Sequence, residues 1–140
     1  MAKPTCLCID LRTAANHLTQ IYDKGMSASG ISATQFSQLH MILSLQGPSL
    51  KDLAAASQLE RSTLGRNIRV LEKMGLVTLK TGDDARTRTI HLSRKGKNIY
   101  KRAVPLWHGV QEQMLERLGH SGRDPLDRIL EMLTAPVVAI

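Results

Sequence analysis

Residues 49–96 read SLKDLAAASQLERSTLGRNIRVLEKMGLVTLKTGDDARTRTIHLSRKG, and this stretch decides the fold. Ser49 is suited to cap a short helix over 50–56, with Leu50, Leu53 and Ala54 inward and Asp52 at the positive helix start. A tight turn over 57–60 leads to a second helix over 60–75. Its apolar stripe is Leu64, Ile68 and Leu71, which leaves Arg61, Ser62, Thr63, Arg66, Asn67 and Arg69 on the free faces. Gly75 suits the left-handed position that ends a helix, and Lys73 complements the dipole in the last turn. The runs Leu76-Val77-Thr78-Leu79-Lys80 and Thr89-Ile90-His91-Leu92-Ser93 flank a Gly82-Asp83-Asp84 turn cluster, which predicts a hairpin with a charged tip. Two short helices and a hairpin make a winged helix-turn-helix, whose second helix fits a DNA major groove.

Outward from this module the chain is helical on both sides. Leu7, Leu11, Ala14, Leu18 and Ile21 recur at spacings of three and four, predicting an amphipathic helix that ends near Gly25. Residues 26–31 read as a linker. Ser32 or Thr34 is a candidate cap for a helix carrying Phe36, Leu39, Ile42 and Leu43, stopped by Gly47-Pro48. Ser93 is a candidate cap for a helix of about 25 residues reaching Gly119, in which Pro105 is expected to bend the axis or shift the start. A break at His120-Ser121-Gly122 precedes a last helix with Leu126, Ile129, Leu130 and Leu133. The expected fold class is mainly α: a winged helix-turn-helix with flanking N- and C-terminal dimerisation helices, about six helices plus a β-hairpin wing. The amphipathic outer helices need an apolar partner, and a second copy in a two-fold interface is the simplest one.

Composition narrows the function. The 140 residues carry a net charge of +7, and between Arg61 and Arg102 twelve basic residues face three acidic ones, a net +9 in that segment. Concentrated positive charge implies a polyanion partner. Only Phe36, Tyr22, Tyr100 and Trp107 are aromatic, so the core is mainly aliphatic. No stretch approaches the roughly 20 apolar residues that span a bilayer, and residues 1–5 carry no signal-peptide pattern. The expected location is cytoplasmic, and two cysteines are too few for a disulfide framework. There is no phosphate loop, no paired-carboxylate motif and no nucleophile-base signature, so an enzyme is not expected; nor is a cofactor.

Four motifs carry a family resemblance: Arg61-Ser62-Thr63-Leu64; Leu71-Glu72-Lys73-Met74-Gly75-Leu76-Val77; Asp84-Ala85-Arg86; and Leu92-Ser93-Arg94-Lys95-Gly96. Together they resemble the recognition helix, the helix-to-wing junction, the wing and the wing exit of the MarR family of bacterial transcription regulators. The likeness extends from Leu11 to Leu133. It implies one MarR-like domain over 1–140, with the DNA-binding part at 32–96 and dimerisation helices at 6–25 and 97–140. It also implies that Ser62, Thr63, Arg66 and Asn67 face the major groove, where arginine pairs with guanine and asparagine with adenine. Arg86 would enter the minor groove, oriented by Asp84 and with Arg88 nearby. Ser49, Lys51, Lys80 and Lys95 would contact phosphates, which set register without reading sequence. Arg69 and Lys73 read as a solvated flank. Two recognition helices related by a two-fold axis would read a palindromic duplex at major grooves roughly 34 Å apart.

Cys6 and Cys8 open the first helix. Their setting resembles the peroxide-sensing branch of the family, with Cys8 at the matching place, Tyr22 fourteen residues on, and Arg12 where a second tyrosine is expected. Three readings stay open: interface side chains, a thiol sensor and a metal site. Two thiols at i,i+2 do not easily bridge within a helix, so oxidation would need a disulfide between subunits or to a small thiol. The five histidines, His17, His40, His91, His108 and His120, lack short ligand spacing, so no metal is assigned. The family likeness also implies a small-molecule inducer in the cleft between the dimer helices and the winged module, where Arg12, His17 and Tyr22 would be the polar groups. The sequence leaves two other functions open, a sequence-neutral architectural DNA binder and a winged-helix protein-interaction module.

Overall fold

The computed structural model describes residues 6–57, 59–119 and 121–136. Among them run α1 (Leu7–Met26), a 3₁₀ turn (Ser27–Ser29), α2 (Ala33–Ser44), α3 (Leu50–Ser57), α4 (Arg61–Lys73), β1 (Val77–Thr81), β2 (Arg88–Leu92), α5 (Arg94–Leu118) and α6 (Arg123–Thr134). The mainly helical fold expected from the sequence, with one antiparallel hairpin, is the one observed.

Local chemistry sets the boundaries. Ser32 closes a capping box on α2: its hydroxyl accepts from the Gln35 N–H at 3.2 Å, and the Gln35 side chain accepts from the Ser32 N–H at 3.0 Å. The chain leaves α2 through Gln46 and Gly47, both at positive φ, and Pro48 forbids a continuation. Ser49 and Asp52 repeat the reciprocal arrangement on α3, with Asp52 N–H to Ser49 Oγ at 3.1 Å and Ser49 N–H to Asp52 Oδ2 at 2.9 Å. The end of α4 is a Schellman stop: Leu76 N–H reaches Leu71 O and Gly75 N–H reaches Glu72 O, each at 2.9 Å. That geometry requires the left-handed φ of +73° at Gly75.

The hairpin pairs Val77 with Leu92, Leu79 with Ile90 and Thr81 with Arg88. A bridge between Ser49 and Thr89, and a 2.9 Å hydrogen bond from Ile90 N–H to Pro48 O, tie it to the start of α3. Ser93 caps α5 by accepting from Gly96 N–H at 3.0 Å, and its hydroxyl donates to Gly75 O at 2.5 Å. Here α5 crosses the start of β1 so closely that a Cβ at Gly96 would overlap the Leu76 carbonyl oxygen.

The core gathers Leu39 and Ile42 of α2, Leu53 of α3, Leu64, Ile68 and Leu71 of α4, Leu76, Val77, Ile90 and Leu92 around the hairpin, and Ala103 of α5. Burying a large aliphatic side chain contributes roughly 1.5–3 kcal/mol, so truncating fully buried Leu39 or Leu71 would cost a large share of the stability. Phe36 stacks on Tyr100 and Trp107 with ring centroids 5.2 and 5.8 Å apart, joining α2 to α5.

Three expectations need correction. The segment 26–31 is not a bare linker: Met26 is fully buried, Ile31 and Ser29 are buried, and the 3₁₀ turn folds the chain back so that this methionine enters the core. Of the two effects expected of Pro105, a bend or a shifted start, the shift does not occur: the proline lies inside α5, which starts at Arg94. The outer helices also do not reserve their whole apolar faces for a second copy. The C-terminal half of α1 packs on α5 of the same chain, with Gly25 against Val110 and the Tyr22 hydroxyl donating to the Gln111 side-chain carbonyl. What stays uncovered on these helices is Leu7, Ile9 and Leu18 of α1, Leu115 and Leu118 of α5, and Ile129, Leu130, Met132 and Leu133 of α6. His120 falls outside the described residues.

Candidate nucleic-acid interface

The recognition surface is built on the outer face of α4. Once Leu64, Ile68 and Leu71 turn inward, the 3.6-residue period leaves Ser62, Thr63 and Arg66 exposed and Asn67 half-buried on the opposite side. The Arg66 Nε–H leans back on the Ser62 carbonyl at 3.4 Å. A groove beside this helix is lined by Ser49, Lys51, Arg61, Arg69, Arg86 and Arg88, drawn from α3, α4 and the wing. Arg69, read from the sequence as a solvated flank, is therefore part of the surface that the wing shares with α4. Among the described residues none of these cations forms an ion pair, the one such pair being Arg123–Asp127 on α6. Unpaired guanidinium groups on one face suit phosphates and base edges.

At the hairpin tip, Thr87 N–H bonds Asp84 O at 2.8 Å and Gly82 N–H bonds Thr87 O at 2.7 Å, which closes the turn. The Asp84 carboxylate accepts from the backbone N–H of Arg86 at 3.1 Å. Asp84 thus orients Arg86 through the main chain and does not pair with its guanidinium, because the short side chain satisfies the nearest amide in an Asx turn.

Not every expected phosphate contact stands free. Lys80 on β1 and Lys51 on α3 are exposed. Lys95 instead donates from Nζ to the Met74 carbonyl at 2.9 Å, satisfying an orphan acceptor at the end of α4. The Ser49 hydroxyl is held by Asp52 Oδ2 at 2.7 Å. These two hydrogen bonds keep the Asp52 carboxyl below its ordinary pKa of 3.8, the Ser49 hydroxyl being the larger cause and the Ser49 backbone N–H the next. The Lys95 engagement has no local sequence signal, since this residue lies 21 positions beyond its acceptor, whereas Ser49 and Asp52 form a local capping pair.

The residues proposed to sense a signal are not assembled within one chain. Cys6 is the residue that caps α1, and Cys8, Arg12 and His17 are exposed along it. Tyr22 lies fourteen helical positions beyond Cys8, about 21 Å of rise, so it cannot reach this thiol in its own chain. Its hydroxyl is bonded to Gln111 instead, and burial raises its pKa despite the opposing pull of Arg123. Burial likewise raises the pKa of Tyr100, whose hydroxyl lies 2.7 Å from His40 Nδ1. Among the described residues no group of three His, Cys, Asp or Glu side chains could hold a metal, and no helix is long and apolar enough to cross a membrane.

Fold and surface together define a winged helix-turn-helix regulator. Residues 29–87 match the model of the MarR family. The transcriptional regulator MosR of M. tuberculosis, solved in complex with DNA, is 41% identical to this chain, with 89% of this chain and 92% of that one covered and a TM-score of 0.79. The transcriptional repressor MprA of Escherichia coli K12 is 26% identical over 132 residues, 92% of this chain and 73% of MprA. A mutant MarR from E. coli complexed with operator DNA shares the fold at a TM-score of 0.84 and 18% identity, covering 91% of this chain and 93% of that one. The chain belongs to the MarR family: it is a transcription regulator, not an enzyme.

Proposed function

We propose that this chain is a homodimeric, sequence-specific DNA-binding repressor that acts in the cytoplasm on a palindromic operator and is released by a small ligand or by thiol oxidation. One observation carries this reading: Arg61 and Arg69 of α4 line one groove with Lys51 of α3 and with Arg86 and Arg88 of the wing, none of them ion-paired among the described residues, and Ser62, Thr63 and Arg66 are exposed on the same helix. Base-reading and groove-reading groups are thus presented together, on the segment with the highest positive charge. The uncovered apolar side chains of α6 and of the start of α1 support a second copy as partner. The DNA complex of the 41% identical regulator supports the same partner class. Release requires only that the inducer or the oxidised thiol favour a geometry in which the two recognition helices no longer match the groove spacing.

The experiment is a pair of salt titrations, on duplex from the chain's own upstream region and on random duplex. Tighter binding to the upstream duplex at every salt concentration supports operator recognition. Equal affinities, both falling steeply with salt, would make the chain an architectural binder. Retention of neither duplex at low salt would point to a protein-interaction module.

A further inference from the structure

Four rings stack where α2 crosses α5. Phe36 lies within 9° of parallel to Tyr100 at 5.2 Å and within 25° of parallel to Trp107 at 5.8 Å, centroid to centroid. The Tyr100 and Trp107 centroids are therefore no further apart than those two distances together, and a phenyl ring fills the space between them. His40 stacks on Tyr100 at 6.1 Å, and its Nδ1 stands 2.7 Å from the Tyr100 hydroxyl. Tyr100 and Trp107 lie about two turns apart on α5, which holds both rings on one side of that helix. Phe36 is buried, Tyr100 and Trp107 are half-buried, and His40 is exposed.

The order of these rings has a redox consequence. Indole and phenol are the aromatic side chains that give up a single electron most readily, and a neutral phenol does so only when its proton has an acceptor. Burial keeps Tyr100 neutral, and the imidazole nitrogen on its hydroxyl is such an acceptor. Once that proton is taken up, the tyrosyl radical lies below the indolyl radical in energy, so an electron moves from Tyr100 to an oxidised Trp107. Phe36 is too hard to oxidise to hold the charge itself. Packed against both rings, it is the medium through which the electron tunnels.

We propose that Trp107, Phe36, Tyr100 and His40 form a one-electron relay that carries an oxidising equivalent from the indole to the phenol. A radical oxidant takes one electron from Trp107, whose indole N–H proton leaves to water. Tyr100 then gives one electron to the indolyl radical, which regains a proton from water, while the Tyr100 hydroxyl proton passes to His40 Nδ1. The products are an intact indole, a neutral tyrosyl radical and a protonated imidazole. The relay spares Trp107 from irreversible ring oxidation and leaves the radical beside exposed His40, where a soluble thiol or ascorbate reduces it. It depends on neither the DNA reading nor the cysteines.

The probe is the azide radical, generated by pulse radiolysis in a solution of the full chain. The indolyl absorption is expected to decay as the phenoxyl absorption grows, at one first-order rate that does not change with protein concentration. Tyr100→Phe keeps the stacked ring and loses only the hydroxyl; it is expected to retain the wild-type circular dichroism and to slow the indolyl decay at least tenfold. Tyr22→Phe, which alters the tyrosine bonded to Gln111, is expected to leave the rate unchanged. His40→Leu is expected to slow the transfer at least threefold and to shrink its solvent deuterium isotope effect, a readout that a purely structural role would not move. A rate proportional to protein concentration, undiminished transfer in folded Tyr100→Phe, or loss of transfer in Tyr22→Phe would each overturn the proposal. An unchanged rate and isotope effect in His40→Leu would do the same.

Discussion

The Lys95 ammonium donates to the Met74 carbonyl across 2.9 Å, so the first turn of α5 caps the last turn of the recognition helix. A side chain placed by sequence likeness among the phosphate contacts is thereby occupied in fixing where α4 ends. Lys95→Met is expected to lower stability by about 0.3–1 kcal/mol, the scale of a cation at an exposed helix C-terminus. The salt slope of DNA binding should stay unchanged, whereas Lys80→Met should reduce it by about one unit. Urea melts and fluorescence-anisotropy titrations measure the two effects separately, and a reduced slope for Lys95→Met would return this residue to the phosphate contacts.

The wing makes a sharper test. Arg86→Ala is expected to weaken operator binding by about 1–3 kcal/mol at matched salt. Asp84→Ala removes only the acceptor that holds the Arg86 backbone N–H, so a smaller loss is expected. Unchanged affinity for Arg86→Ala would take the wing out of the interface.

The Ser49–Asp52 cap predicts a pH dependence. Hydrogen bonds from Ser49 depress the folded-state pKa of Asp52 below its ordinary 3.8. A depressed carboxylate stabilises the fold fully above its unfolded-state value, and the benefit is lost as pH falls through the folded-state value. The difference in Tm between the wild-type chain and Asp52→Asn should therefore hold at neutral pH and close as the pH drops below 3.8. A gap independent of pH would separate the cap from the ionised carboxylate.

On α6, Met132 is 78% exposed and Ile129 is 50% exposed. A charge there is expected to block association of two copies. Met132→Glu should sediment as a single subunit at micromolar concentration, retain its helical circular dichroism, and bind operator at least tenfold more weakly. A variant that remained dimeric would move the interface away from this face.

For the thiols, Cys8→Ser is expected to leave DNA binding intact and to abolish release by peroxide. Because Tyr22 is out of reach of Cys8 in the same chain, Tyr22→Phe should alter the response only through a neighbouring subunit. Release of Cys8→Ser by oxidant as fully as the wild-type chain would end the thiol reading and leave the small-ligand route.

Much of this architecture was legible because its signals are local. A stripe at Leu64, Ile68 and Leu71, a glycine at 75, capping serines at 32, 49 and 93, and a Gly-Asp turn between β-branched runs each act over three to five residues. Helical period and cap chemistry need nothing further away. The exposed face of α4 followed from the same stripe by subtraction.

The remainder depends on residues far apart in the chain. Met26 becomes core only when the 3₁₀ turn brings it under α5, and Phe36 meets Tyr100 and Trp107 only when α2 crosses that helix. The capture of Lys95 by Met74 and the pairing of Tyr22 with Gln111 have the same origin. Sequence by itself determined which segments are helix, turn or strand and which faces are charged, since those follow from backbone preference and periodicity. Tertiary packing alone decided which polar groups are already satisfied and which remain free to bind, because a hydrogen bond or a cavity depends on separations in space.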